Sequence, residues 1–262
     1  MKQRDDGLRE QYRDSGNFRK RTALVAKFGT NRHGWYRWVF EQFALRSNSS
    51  ILELGCGPGN LWKPNLERLG QGVRVVASDF STGMLLDCKR NLGAQAARLS
   101  FCQLDAGALP FRASSFDAVV ANMMFYHVQD RPRAMHDIRR VLSPGGVFYA
   151  TTTGRGYMRE IQETAFQILG VSRRTASAER FGLESGFDQL ASVFGRVETR
   201  NYRNSLRITA VEPLMDYYLS MVPFISASAE KWSAVREYFE QTIAEHGELV
   251  VSADIGMLIA RD

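Results

Sequence analysis

The run Ile51-Leu52-Glu53-Leu54-Gly55-Cys56-Gly57-Pro58-Gly59-Asn60 constrains this chain more than any other feature. An apolar segment of strand length runs directly into a turn with glycine at every second position. Glycine tolerates positive φ and lets a ligand come close to bare backbone. A strand that ends this way and feeds a helical stretch is the first unit of a doubly wound sheet. In such a sheet ligands bind outside the carboxyl ends of the strands. The spacing is GxGxG, which differs from the GxGxxG of dinucleotide binders. No GK[ST] follows, so a phosphate-cradling loop is excluded.

Short apolar runs continue the alternation at Val73–Ala77, Leu99–Gln103, Phe116–Ala121 and Val147–Thr151. Helical patterns separate them at Pro64–Gly70, Thr82–Leu92 and Pro132–Leu142. Asp130 is placed to cap the last of these, and SPGG (143–146) stops it. This alternation predicts an α/β fold, Rossmann-like and doubly wound, with a mostly parallel seven-stranded sheet covered on both faces. Residues 5–46 read as N-terminal helices broken at Gly29–Gly34. After Thr153, helices are expected over 155–169, 186–194, 212–221 and 229–245, with an irregular stretch at 171–184. Strand patterns stand at Val197–Tyr202, Leu249–Ser252 and Ile255–Ala260. The expected organisation is one domain overall. It comprises a helical segment over 1–46, a core over 47–153, and the rest of the sheet over 154–262. Segments of about 154–185 and 203–247 are inserted as a helical lid.

Polar chemistry gathers at the strand ends. Asp79 closes VRVVASD, where an acid is placed to accept from ribose hydroxyls. A helix-capping role for Asp79 is the rival, and the two are compatible if Ser81 supplies the cap. Asp105-Ala106 ends the third strand. Asn122 ends the fourth, with Tyr126 and His127 just beyond. Four loops therefore converge on one crevice.

Taken in order, ELGCGPG, the Asp of ASDFS, LDAGALPF, SFDAVVANMMFYHV and RRVLSPGG resemble the successive motifs of class I S-adenosylmethionine-dependent methyltransferases. The resemblance is strongest to the ubiquinone/menaquinone-type and natural-product group. It is close over 51–153 and holds only in outline after 154. It implies S-adenosylmethionine as cofactor and S-adenosylhomocysteine as product. Gly55, Cys56, Gly57 and Gly59 would approach the methionine part, and Glu53 would steady that turn and meet the amino group. Asp79 would hold the ribose diol while Phe80 flanks the adenine. Asp105 would accept from the adenine amino group, with the Ala106 amide at a ring nitrogen. The backbone near Asn122 would line the methionine end. Tyr12 and Arg21 would close over the cofactor carboxylate. His127 is the first candidate for a general base, its ring titrating in the useful range, and Tyr126 is the second. A packing role for His127 is the alternative.

Residues 1–46 hold eleven Lys/Arg against five acids, an excess equal to the +6 of the whole chain. A basic segment suits an acidic ligand or a nucleic acid, and equally a solvated helix face. The position after the fourth strand reads Asn122-Met123-Met124-Phe125, not the Asn/Asp-Pro-Pro-aromatic run of amino-group methylases. The resulting expectation is methyl transfer to oxygen or nitrogen of a small aromatic or apolar metabolite, with nucleic acid disfavoured. The alternatives are an RNA or protein methyltransferase, and a non-methylating cyclase of the same fold. Cys56, Cys88 and Cys102 form no CxxC pair, so neither a disulfide framework nor a metal site is expected. No run reaches the roughly 18 apolar residues of a membrane span. The N-terminus is too polar for a secretory signal, and a cytoplasmic location is expected.

Overall fold

The computed structural model describes residues 12–170, 177–220 and 227–262. Its strands are β1 (Ser50–Leu54), β2 (Arg74–Asp79), β3 (Ser100–Gln103), β4 (Phe116–Asn122), β5 (Leu142–Thr153), β6 (Arg196–Tyr202), β7 (Ser205–Ile208), β8 (Leu249–Ser252) and β9 (Ile255–Arg261). The chain divides into two compact units. One comprises Met1–Arg32, Gly156–Ala176 and Arg203–Asp254, and the other His33–Arg155, Ser177–Tyr202 and Ile255–Asp262.

The second unit holds a seven-stranded sheet of order β3-β2-β1-β4-β5-β9-β6. Strands β1 to β5 are parallel, and β9 runs antiparallel between β5 and β6. This is the doubly wound, mostly parallel sheet expected from the sequence. Alternation along each strand sorts side chains onto two faces. Leu52, Leu54, Val119, Ala121, Phe148, Ala150, Leu258 and Ala260 pack on one face with Ala134, Met135, Ile138 and Val141 of the helix Arg131–Val141. Ile51, Ala118, Val120, Val147, Tyr149, Met257 and Ile259 pack on the other with Trp62, Leu66, Leu85 and Cys88. Both faces are covered, so the central strands are apolar at nearly every position. Glu53 is the exception in β1: it belongs to the Ile51 face and is 1% exposed.

The helix Arg131–Val141 starts where Asp130 accepts from the Arg133 amide at 3.1 Å and carries Pro132 in its first turn. The helix Thr82–Leu92 is capped by Ser81, which accepts from the Met84 amide. A helix was expected over Pro64–Gly70. Turns and a single 3₁₀ turn, Leu66–Arg68, stand there instead. The Asn65 amide donates to the carbonyls of Leu61 and Tyr36, and such side-chain bonding competes with helix propagation. The stretch expected to be irregular, 171–184, contains the helix Ser177–Phe181 and the start of Leu183–Ala191. Its residues 171–176 lie outside the described residues, as do 5–11 of the expected N-terminal helix and the last residue of the helix expected over 212–221.

The other unit is built on the helices Gly16–Phe28, Arg159–Leu169, Val211–Leu219 and Ala229–His246 and the two-stranded β7–β8 ribbon. Its core joins Leu24, Phe28, Ile161, Leu206, Leu214, Tyr218 and Phe239. The buried Tyr218 hydroxyl donates to the Ile161 carbonyl at 2.6 Å. Strand β7 falls inside the stretch 203–247 expected as part of a helical lid, ahead of the helix expected over 212–221. Its partner Leu249–Ser252 pairs with it and not with the main sheet. No described helix is long and apolar enough to cross a membrane.

Leu52 is fully buried at the centre of β1. Leu52→Ala is expected to cost about 2–5 kcal/mol in a denaturant titration, the usual range for a leucine cavity that cannot collapse.

Candidate functional site

The glycine turn follows β1 directly. Gly57 has φ +51 with nothing within 4 Å of an added Cβ, so the turn presents open backbone there. Gly59 is constrained differently: at φ +77, a Cβ would lie 2.5 Å from Cys88 Sγ on the helix Thr82–Leu92. The turn is held at its base by the Cys56 amide, which donates to the Ser78 carbonyl at 2.8 Å. On the far side, Asn91 donates to the Pro58 carbonyl at 2.8 Å.

Asp79 ends β2 and is 5% exposed. Its Oδ2 accepts from the Gly57 amide and its Oδ1 from the Ser81 amide, both at 2.9 Å. Burial raises its carboxyl above the ordinary value, and the amides of Ser81, Gly57 and Phe80 oppose that rise. Ser81 supplies the helix cap, so Asp79 is not needed for it. Behind the turn, Glu53 Oε2 accepts from Trp62 Nε1 at 2.6 Å. Burial pushes the Glu53 carboxyl up to about 8; the Trp62 bond lowers it and the charge of Asp79 raises it. Tyr36, on the helix Trp35–Glu41, accepts from Asn60 Nδ2 at 3.2 Å. Burial is the main reason its phenol rises to about 12.

The other expected residues lie along the same sheet edge. Phe80 is 37% exposed beside Asp79, and its carbonyl accepts from Gln103. Asp105 is exposed and turns back on its own loop, Oδ1 accepting from the Gly107 amide at 2.8 Å. Ala106 is buried. Asn122 Oδ1 accepts from Thr151 Oγ1 at 2.7 Å, and that hydroxyl accepts from the Met123 amide at 2.9 Å. Tyr126 and His127 lie in the 3₁₀ turn Phe125–His127, with ring centroids 4.6 Å apart. Both are half-buried. Cys56 is buried, and its thiol is pushed well up by Cys88 and by burial, which leaves it a small packing residue. Tyr12 and Arg21 belong to the other unit, where the Arg21 guanidinium stands 5.3 Å from the Tyr12 ring centroid.

Sequence reasoning missed Trp62 and Thr151, which bond Glu53 and Asn122, and the Tyr36–Asn60 pair that follows the glycine turn. The signal for Asn60 was its position directly after the glycines. The others are joined through tertiary contacts. Among the described residues no group of three or more His, Cys, Asp or Glu is arranged to hold a metal ion.

The family model described as "Methyltransferase domain" matches residues 52–150. The ubiquinone/menaquinone biosynthesis C-methyltransferase of Hahella chejuensis is 32% identical over 43% of this chain and 46% of its own length. The demethylmenaquinone methyltransferase of Thermus thermophilus is 35% identical over 43% of this chain and 50% of its own. The chain thus spans about half the length of the curated relatives it matches. Phosphoethanolamine N-methyltransferase 2 of Haemonchus contortus, solved with S-adenosyl-L-methionine, superposes with a TM-score of 0.58 at 19% identity. That superposition covers 99% of this chain and 60% of the other. The likeness in sequence is thus to a methyltransferase domain and lies over residues 52–150.

The Glu53 carboxyl gives a pH-dependent stability of definite sign. Below about pH 4.5 it is protonated folded and unfolded. Between 4.5 and 8 the folded state keeps the proton that the unfolded chain releases, so stability falls as pH rises. Glu53→Gln keeps an acceptor for Trp62 and removes this slope. Thermal melts from pH 5 to 8 are expected to show a falling midpoint in the native sequence and a flatter profile in the variant.

Proposed function

We propose that the protein transfers the methyl group of S-adenosylmethionine to a small aromatic or apolar acceptor. The observation that carries this reading is the open Gly57 backbone clasped by the buried Asp79 carboxylate. Both Asp79 oxygens are fixed by amides yet retain lone pairs for hydroxyl donors, which suits a ribose diol. Phe80 offers an exposed ring beside it for a base. Glu53 is a buried carboxyl facing a neutral indole, with a second carboxylate near enough to raise its pKa. An ammonium group brought to this pocket would favour loss of the Glu53 proton and pair with the carboxylate so formed.

The residues therefore fit the cofactor. Glu53 and the 55–59 turn would hold its amino acid end, Asp79 its sugar, and Phe80, Asp105 and Ala106 its base. When bound, it supplies an electrophilic methyl carbon on a sulfonium. The chain's own contribution is orientation, which accounts for much of the rate in such transfers, and removal of a proton where the acceptor needs it.

His127, at the carboxyl edge of β4, is the proposed proton acceptor, with Tyr126 beside it. The sequence reading favoured oxygen or nitrogen as acceptor, whereas the curated relatives are named for quinone C-methylation. Support for a small aromatic acceptor comes from those names. The acceptor atoms within the proposal accordingly include carbon.

The test is turnover. Incubation with S-adenosylmethionine carrying a labelled methyl, and a panel of phenols, amines and reduced quinones, is expected to give a labelled small product and S-adenosylhomocysteine in equal amounts. With a hydroxyl acceptor, His127→Gln is expected to lower kcat by about 10²–10⁴-fold with little change in cofactor affinity. Label found only in protein or RNA, or cofactor binding without transfer to a cell-extract metabolite, would contradict the proposal.

A further inference from the structure

The loop after β3 is fastened to the helix Arg131–Val141 by one acid–base pair. Asp137 Oδ2 accepts from the Leu109 amide at 2.5 Å. Arg140 Nη2 donates to the Leu109 carbonyl at 3.0 Å and Nη1 to the Phe111 carbonyl at 2.7 Å. Arg140 Nε donates to Asp137 Oδ1 at 2.7 Å, which sets the two side chains against each other. Both main-chain polar groups of Leu109 and the carbonyl two residues on are thus taken up by a single forked pair. Pro110 lies between them, its φ already fixed.

The opposite end of this loop is Asp105-Ala106, the proposed adenine contact. Its own bonds are local: Asp105 caps Gly107, and the Ala108 amide donates to the Asp105 carbonyl at 3.0 Å. Leu104, Ala106 and Leu109 already bury apolar surface in the core that holds the helix, so the loop has a hydrophobic anchor without the pair. The pair itself is partly exposed, and its charge attraction adds little to stability. What it adds is direction. A planar guanidinium donating to two carbonyls fixes orientation as well as distance.

We infer that Asp137 and Arg140 are positioning residues that hold the Asp105–Phe111 loop so that Asp105 and Ala106 read the adenine ring. The inference rests on the cofactor reading above and deepens it. Asp137 and Arg140 touch no ligand on this account and act through the loop backbone.

The experiment compares two nucleosides on the whole protein: S-adenosylhomocysteine and its 6-oxo counterpart S-inosylhomocysteine, which lacks the adenine amino group. The native protein is expected to prefer the former by about tenfold or more, since a site built around a donor rejects the analogue lacking it. Asp137→Asn and Arg140→Gln are each expected to weaken S-adenosylhomocysteine about tenfold and leave the 6-oxo ligand within about twofold. The preference then collapses while circular dichroism and melting stay close to native. A preference unchanged in a folded variant overturns the inference, even if both ligands weaken together. So does a native protein that binds both ligands equally. Failure of both variants to fold assigns the pair to stability and overturns it too. A native protein that binds neither nucleoside refutes the cofactor reading itself, which separates the two failures.

Discussion

The contact between the Asp79 carboxylate and the Gly57 amide organises the rest of the site. It joins the end of β2 to the turn after β1, and the parallel pairing of the two strands brings both to the same sheet edge. A carboxylate this buried is costly unless its oxygens are satisfied. Here backbone amides of Gly57 and Ser81 satisfy them. The glycine turn is therefore held open from below by a charge, and its outward backbone stays available.

Strand alternation explains what stands behind that turn. Leu52 and Leu54 face one helical layer, and Ile51 and Glu53 face the other. A carboxyl in this position has no water, so it either finds a donor or keeps its proton. It does both: the Trp62 indole donates to it, and its affinity for protons rises into the neutral range. The buried acid, the Asp79 clasp and the close approach of Gly59 to Cys88 occupy one short stretch of sheet edge. Desolvated acids of this kind gather at functional sites.

The fold was readable because its signals are local. Two-sided burial makes the central strands continuous apolar runs, and Ser81 and Asp130 mark helix starts beside them. The glycine turn and Asp79 were readable for the same reason. Residues whose role depends on distant partners were not. Trp62 looks like a core aromatic until Glu53 is placed opposite it. Asp137 and Arg140 look like a solvated helix face until the Leu109 backbone is brought to them. The stretch Pro64–Gly70 carries helical spacing, but Asn65 diverts its own amide to neighbouring carbonyls. Strand β7 was hidden because its four residues pair with a segment about forty residues further on, beyond the reach of periodicity.

The central claim is that the Asp79–Gly57 clasp is the sugar-binding point of a sulfonium nucleoside site. Titration calorimetry of the folded protein with S-adenosylhomocysteine tests it most directly. The account predicts a saturable single-site isotherm, and at least about tenfold weaker binding by Asp79→Ala, the scale of a lost hydrogen bond to a charged group. Absence of heat with well-folded native protein, or equal affinity in the folded variant, would contradict it.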